Sequence, residues 1–583
     1  MLTAGLREEQ TANLITGLTD MKNQTTFHRA LHCLLFLASL FTIQGYAQPS
    51  AACAKVYCFT DRTLFVAGES VQFTALVIAE QGGVEQAADQ VLYCELITPE
   101  GQLIAAGKFP VLSNHSEGSI GIPDETVSGC YYLKTYTRSM RNCDVSGYGY
   151  RMISIVNPHK PETLQPGRSA GNEKLPVAES DSILLINSGL IALKSRYRAG
   201  EEVAFSVSDS LLKHVQYPVM LSVVPAGTFM NHRAPAGKYA AGFVYDPYPQ
   251  EAQGLSLSGR VVIQDGSQPA GNLKVFLSVI GTRDMMNVVT DSSGRFCFTL
   301  PALTGTHDIF LSAEEVSGSR TSILIDNDFC TRPLELPFPE FSLSAAEEKA
   351  ALKLAAHKVM ADFFTDTLQL ALPLAGSSNR PFYGEVSDVI SLNDYIALPS
   401  IEEYLNELSP VVKVRKVNGK KKFRFISSNP EMSLFSPLVM IDFVALDNLQ
   451  PLLAVSPAEI ERIELVNSVY IKGNITYGGI VNLISRKQNF AGIDLPSSGT
   501  FLSYRFFEPE KPFLPEKPAG PGNPDIRNTL ISHTFSAKEK EETPAGTFVA
   551  PSAPGEYLIV LQGVDQTGKE FRAFEKFLVT SQN

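Results

Sequence analysis

Between Lys55 and about Glu335, apolar and polar residues alternate in short runs such as Val71–Ile78, Val91–Leu96, Tyr131–Tyr136, Val203–Val207 and Val275–Val279. Gly, Pro, Asp and Asn separate the runs roughly every 8–12 positions, a period-two texture that predicts β-sandwiches. A helical pattern then intervenes. Ser344-Ala345-Ala346-Glu347 is a capping box, and Ala and Leu recur on one face to about Met360, predicting a linker or docking helix over 344–360. From Asn393 to Gln488 the texture becomes mixed α/β. Ser400-Ile401-Glu402-Glu403 caps a short helix through Leu408. Val412–Val417 and Lys420–Ile426 flank Asn418-Gly419, which supplies the positive φ values of a tight hairpin turn. Pro437–Asp442 reads as a buried strand. Ser456-Pro457-Ala458-Glu459 is a second capping box, with Pro at the first helical position, leading into Ile460–Val466. Tyr477-Gly478-Gly479 turns into the strand Ile480–Ser485.

The β region contains a repeat. Arg62-Thr63-Leu64-Phe65-Val66-Ala67-Gly68-Glu69-Ser70-Val71-Gln72-Phe73 recurs as Lys194-Ser195-Arg196-Tyr197-Arg198-Ala199-Gly200-Glu201-Glu202-Val203-Ala204-Phe205. The pattern implies strand, glycine turn, strand: an aromatic enters the core before the turn, and Val and Phe two apart face inward. Two copies imply two sandwiches of one kind.

Thr60–Phe65 followed by Ala67–Val71 resembles the opening of macroglobulin-type sandwich domains, TDRxxYxPGExV, over Lys55–Pro158 and more weakly over Asp181–Tyr248. Protease-trapping macroglobulins carry a Cys-Gly-Glu-Gln thioester. This sequence has no such tetrapeptide, so the resemblance implies the fold and not the trap. Thr290-Asp291-Ser292-Ser293-Gly294-Arg295-Phe296, within Leu255–Ala313, is similar to the central hairpin of carboxypeptidase regulatory-like domains. There Asp and Gly serve the turn and Phe296 the core. A calcium reading of Asp284, Asp291 and Asp326 lacks any loop spacing of oxygen ligands.

Pro437–Asp442 (PLVMID), Ile460–Glu464 (IERIE) and Tyr477–Ile484 (YGGIVNLI), in this order and spacing, resemble the plug domain of TonB-dependent outer-membrane receptors. One departure is Phe443, where that family usually has Gly in a turn. In those receptors the plug fills a barrel encoded just downstream. The stretch after Gln488 is short even for eight strands at roughly 9–11 residues each plus turns, and it ends without the aromatic terminal strand of such barrels. The resemblance therefore implies a plug whose barrel is a separate protein.

Met21 opens a second plausible start. Lys22 and Arg29 precede the apolar run Leu34–Ile43, and small residues at Gly45 and Ala47 fit cleavage before Gln48. This is the pattern of a secretory signal, too short to span a bilayer as a helix. The alternatives are a buried N-terminal helix and a lipoprotein Cys53, the latter opposed by Ser50 where an aliphatic is required. Export admits disulfides, and seven cysteines remain beyond the signal, so at least one is unpaired. The net charge of −12 argues against nucleic acid as the main partner.

The expected architecture is mainly β: tandem β-sandwich (immunoglobulin-like or macroglobulin-like) modules followed by an α/β plug-like domain. The segments are a signal peptide at 1–47, sandwiches at 48–160, 181–250 and 251–335, the helix at 344–360, and the plug-like domain at 376–500. A proline-rich spacer at 507–525 and a small β unit at 529–583 complete the chain. In the spacer, prolines at every third position from Pro509 to Pro524 share one edge of a polyproline II helix; a ligand for a proline-reading domain is the alternative.

Chemistry is sparse. There is no CxxC, HExxH or GxSxG motif, and the paired carboxylates Glu402/Glu403 and Glu459/Glu461 fall in expected helix first turns, where the dipole explains them. No catalytic, cofactor or metal residue is expected. The candidate contact surface is the basic hairpin, in which Lys413, Arg415, Lys416, Lys420, Lys421, Lys422 and Arg424 crowd an acidic chain. It reads either as a contact for anionic headgroups or an acidic partner, or as a solvated face whose lysines guard an edge. The expected function is that of a non-catalytic periplasmic protein associated with the outer membrane, with the plug-like domain engaging an outer-membrane barrel or envelope protein. The alternatives are an accessory of TonB-dependent uptake that binds a nutrient or glycan directly, and, last, an enzyme of unrecognised class. No transmembrane helix is expected after signal cleavage.

Overall fold

The first sandwich is built from eight strands: β1 (Ala54–Thr60), β2 (Leu64–Val66), β3 (Ser70–Ala79), β4 (Val91–Ile97), β5 (Leu103–Pro110), β6 (His115–Gly121), β7 (Gly129–Thr137) and β8 (Gly149–Val156). They form two sheets, β1-β3-β6 and β2-β8-β7-β4-β5, with β2 parallel to β8. Inward-facing Phe65, Val71, Phe73, Leu92, Leu133 and Ile153 are fully buried between them. The computed structural model describes residues 53–79, 89–165, 184–186, 191–208, 215–230, 238–239, 248–263, 268–316, 319–365, 380–417, 419–509, 525–535 and 545–581. The expected signal at 1–47, Asn418 and the prolines from 512 to 524 lie outside these residues.

A second sandwich repeats the first strand for strand, but from two distant stretches of chain. Ile191–Ala192, Arg196–Arg198, Glu202–Val207 and Val219–Pro225 stand where β1 to β4 stand. Ile531–Phe535, Ala545–Val549, Gly555–Val564 and Glu570–Thr580 stand where β5 to β8 stand, and both sheet orders match. Even the parallel pair recurs, Arg196–Arg198 beside Leu578–Thr580. In the first sandwich β4 and β5 are joined by a tight turn, Thr98–Gln102. In the second, the same connection carries residues 226–530. The segments 181–250 and 529–583, expected as separate units, are therefore the two halves of one sandwich. Neither half can bury its apolar face alone: Val203, Phe205 and Leu221 from one share a core with Ile559, Phe571 and Phe577 from the other.

The third sandwich is interrupted in the same way. One sheet holds Ser256–Ile263, Gln268–Pro269, Arg295–Thr299 and Thr321–Ile325. The other holds Met285–Val289, Lys274–Val279, Thr306–Ala313 and, at its edge, Thr500–Arg505. Thus 251–335 is completed by a strand from beyond the α/β domain. The chain is a nested series, with the α/β domain inserted in the third sandwich and that sandwich inserted in the second. Such insertions are tolerated where the ends of the inserted unit lie close together.

The α/β domain has a five-stranded mixed sheet ordered Asp388–Ser391, Ile460–Val466, Ile480–Ser485, Leu438–Ile441, Val444–Ala445. Leu438–Ile441 runs parallel to Ile480–Ser485. The second capping box does not start a helix. Pro457–Glu459 is a single 3₁₀ turn without a side-chain cap, and Ile460–Val466 is an interior strand. Its buried Ile460, Ile463 and Leu465 gain more from the sheet than a short helix would from its cap. Glu461 accordingly sits on a strand, paired with Arg462 at 2.8 Å, and not in a helix first turn.

The helix spans Ala345–Thr365 and packs Ala350, Ala351 and Leu354 on Leu64 and Val66, docking onto the first sandwich. No helix among the described residues is long and apolar enough to cross a membrane. Cys53 and Cys143 are disulfide-bonded, whereas Cys58, Cys94, Cys130, Cys297 and Cys330 are free.

The repeated motif shows its physics twice. Gly68 (φ 86°) and Gly200 (φ 81°) take the left-handed turn. The following glutamate then accepts from the backbone three residues earlier, Glu69 from Val66 at 2.7 Å and Glu201 from Arg198 at 2.8 Å. Each also pairs with the cation seven residues before it, Arg62 at 3.1 Å and Lys194 at 3.4 Å. The first copy is buried against the chain returning to the second sandwich. The second copy is exposed.

Candidate functional site

The α/β domain is held by one side. Leu438–Ile441 turns into Val444–Ala445 through Asp442 (φ 47°) and Phe443 (φ 67°), a two-residue hairpin with both central residues left-handed. Asp442 tolerates this because its carboxylate accepts from Ser485 N at 2.8 Å and Phe490 N at 2.9 Å. Phe443 carries strain that Gly would not. Its ring is buried and stacks on Tyr383 at 6.0 Å, in one cluster with Phe276 and Met285 of the third sandwich. Its carbonyl accepts from Ser278 Oγ at 2.8 Å. The departure from Gly thus supplies the docking side chain. Lys472 extends the contact, pairing with Asp284 at 3.0 Å while its carbonyl accepts from Asn287 Nδ2. Elsewhere on the domain Ile396, Leu434 and Ile471 are 89%, 76% and 66% exposed.

The basic hairpin pairs Val412–Val417 with Lys420–Phe425 and with no other strand. Gly419 takes φ 80° at its turn. Alternation divides its side chains between two faces. Val412, Val414, Phe423 and Phe425 pack onto Ile401, Tyr404 and Leu405, so the apolar face is part of the core. The short helix beneath them starts as expected, with Ser400 Oγ accepting from Glu403 N at 3.2 Å. Asn406 at its end accepts from Val414 N at 2.9 Å, fixing the hairpin against it.

Of the seven cations, Lys413, Arg415, Lys420, Lys422 and Arg424 share the outward face. Lys416 and Lys421 oppose each other on the inner face beyond its apolar part, where Lys421 pairs with Glu402 at 2.5 Å. Among the described residues the other six have no ion-pair partner. Sequence reasoning missed two members of the outward face. Val417 at the tip and Ile426 at the base are 42% and 54% exposed. Counting by twos through Lys420, Lys422 and Arg424 reaches Ile426, so the signal was present.

The remaining candidates serve the fold. Asp291 accepts from Ser293 and Arg295; despite slight burial working the other way, these hydrogen bonds hold its carboxyl below the usual range. Asp326 accepts from Ser258 Oγ at 2.5 Å, and Asp284 pairs with Lys472, so the three aspartates do not converge. Tyr383 donates to Glu464, with Asn482 donating to Tyr383 at 2.9 Å; burial, then the Glu464 charge, pushes the phenol far above its ordinary pKa. This is a buried structural network. No group of three His, Cys, Asp or Glu side chains suited to a metal occurs among the described residues.

Strand order and site together define a mainly β protein of tandem sandwiches with an inserted α/β domain. No protein-family model matches the chain, and no curated protein does. Among solved structures, trypsin-activated alpha-2-macroglobulin of Escherichia coli is 10% identical over 91% of this chain and 42% of its own, with a TM-score of 0.22. Salmonella alpha-2-macroglobulin reacted with methylamine is 10% identical over 91% of this chain and 39% of its own, also at 0.22. The adhesin InvE of Yersinia pseudotuberculosis is 12% identical over 48% and 61%, at 0.14. The chain spans about two fifths of those macroglobulins' length. TM-scores this low carry no argument, and the likeness of the two sandwiches to each other rests on their strand order.

Proposed function

We propose that the chain is an exported, non-catalytic protein of a Gram-negative envelope, periplasmic and associated with the outer membrane, that works through protein contacts. In this reading the nested sandwiches are spacer and docking surface, and the α/β domain engages the periplasmic mouth of a separate barrel. One observation carries it. The domain that resembles a receptor plug is the innermost insertion, held on the third sandwich through Phe443, while its hairpin and exposed apolar residues such as Leu434 and Ile471 stay uncovered. Leu434 and Ile471, 76% and 66% exposed, are side chains that a protein partner would bury. Membrane fractionation followed by pull-down from native envelopes tests the reading: recovery of a barrel protein supports it, and recovery of soluble, partner-free chain contradicts it.

A second reading, direct binding of a nutrient or glycan as an accessory of TonB-linked uptake, has a place to act. A cleft of about 450 Å³ lies between the first and third sandwiches, with Ser119, Thr306, Arg505 and Glu508 on its walls. Polar groups in a cleft of this size suit a small polar ligand. Binding of a glycan or siderophore by the purified chain, lost in Arg505→Ala, would favour it.

A further inference from the structure

We infer that the outward face of the basic hairpin is a docking surface for an anionic phospholipid bilayer. The inference rests on the envelope reading above and adds the surface on which the α/β domain lies.

The argument begins with a cost. On that face Lys413 stands directly opposite Arg424, and Arg415 opposite Lys422. Like charges in directly opposed positions destabilise a ladder. Guarding an edge takes a lysine or two and does not call for two stacked like-charged pairs with a further lysine beside them. No acidic side chain among the described residues relieves the five cations, whereas Lys421 on the opposite face has Glu402. The fold uses two of the five, Lys413 donating to the Asn406 carbonyl and Arg415 to the Val414 carbonyl, and gains nothing visible from Lys420, Lys422 and Arg424.

A plane of lipid phosphates would relieve it. The ribbon is bound to no other strand, and its outward cations alternate along the length of both strands, so they are spread along a face and not gathered at one point as a discrete phosphate site requires. Val417 and Ile426 bracket the cations at tip and base, exposed and aliphatic. That combination suits the headgroup boundary, where basic residues meet phosphate and apolar side chains reach the acyl region. An acidic protein surface would satisfy the cations, but a bilayer also offers both aliphatics, at opposite ends of the basic strip, one apolar layer to enter. Because the chain as a whole carries −12, an anionic surface repels most of it, and the hairpin fixes which side approaches.

Sedimentation of the purified mature chain with vesicles tests this, using phosphatidylcholine alone and phosphatidylcholine with phosphatidylglycerol as about a third of the lipid. Binding is expected with the anionic vesicles only. Lys420→Gln, Lys422→Gln and Arg424→Gln should each lower partitioning about fivefold, the equivalent of ~1 kcal/mol per cation, and the triple variant about a hundredfold. Lys349→Gln, an exposed helix residue, should leave it unchanged. Val417→Ser with Ile426→Ser should lower the binding that survives at about 0.5 M salt, where charge attraction is screened. Circular dichroism checks that each variant is folded. Equal binding to neutral and anionic vesicles, or a triple variant that binds like the parent, overturns the inference. If vesicles fail while the triple variant also loses a barrel protein in pull-down, the face is a protein contact: the lipid inference falls and the partner reading stands. If vesicles bind and no barrel is recovered, the reverse holds.

Discussion

The hydroxyl of Thr529 donates to Oδ2 of Asp61 at 2.6 Å, joining residues 468 positions apart. Beside it, Asn528 Nδ2 donates to Glu69 Oε1 at 2.6 Å, and Glu69 and Asp61 both pair with the buried Arg62. The motif that opens the first sandwich therefore also fixes the point where the chain returns to complete the second. Losing Glu69 leaves the buried Arg62 with Asp61 alone, at 3.3 Å, and the cluster short of one negative charge. Glu69→Gln should lower stability by about 3 kcal/mol, read in denaturant unfolding. Glu201→Gln, at the exposed counterpart, should leave the midpoint where it was, because solvent screens that pair. Equal effects would mean that the first motif is no more than a turn.

Phe443 combines a left-handed backbone with a buried docking ring. Phe443→Gly removes the strain, about 1 kcal/mol, and loses the ring, about 3–5 kcal/mol by analogy with core truncations. Hydrogen exchange should accelerate in both Lys274–Val279 and Leu438–Ile441, whose side chains meet around it. Faster exchange in the hairpin alone would show that the two domains are not coupled through this ring.

Glu251 lies in the contact between the first and third sandwiches, accepting from Tyr93 at 3.0 Å and from Ser256 N at 2.8 Å. Burial pushes its pKa from 4.5 up to about 7, although Arg138 beside it pulls the other way. A carboxyl raised in the folded state binds protons more tightly there. Its contribution is complete below pH 4.5 and is lost as pH rises through about 7. The stability difference between the parent and Glu251→Gln should therefore fall across that window, at up to about 1.4 kcal/mol per pH unit. Parallel pH profiles would contradict it.

Thiol accessibility gives a separate check of the core. Cys297 is exposed, whereas Cys58, Cys94, Cys130 and Cys330 are buried, and burial pushes the Cys58 thiol up to about 12. Maleimide labelling of the native mature chain should modify Cys297 first, with the other four reacting only in denaturant. Rapid native labelling of Cys94 or Cys58 would mean that the first sandwich is not packed as described.

The repeat was legible because its aromatic, glycine and glutamate carry their own geometry, and Asn-Gly marked the basic hairpin for the same reason. The insertions were not. Alternation marks Val219–Pro225 and Gly555–Val564 as strands, but nothing local says that they are neighbours across more than three hundred residues. Ile460–Val466 was obscured by a proline and a glutamate that favour a helix start, until its sheet neighbours outweighed them. Phe443 stood out as a departure, yet its purpose needed Phe276 and Met285 beside it. Arg138 looks like any surface arginine in sequence, and its burial follows from contacts with Ser256 and Ser258 of the third sandwich that no window of residues encodes.

Site-specific photo-crosslinking in native envelopes asks whether the α/β domain touches an outer-membrane protein. A photoreactive side chain at Leu434 or Ile471, both uncovered, should yield an adduct with an outer-membrane protein, and one at Met285, inside the docked face, should yield none. Absence of any envelope adduct from the exposed positions would mean that the α/β domain does not engage an outer-membrane partner.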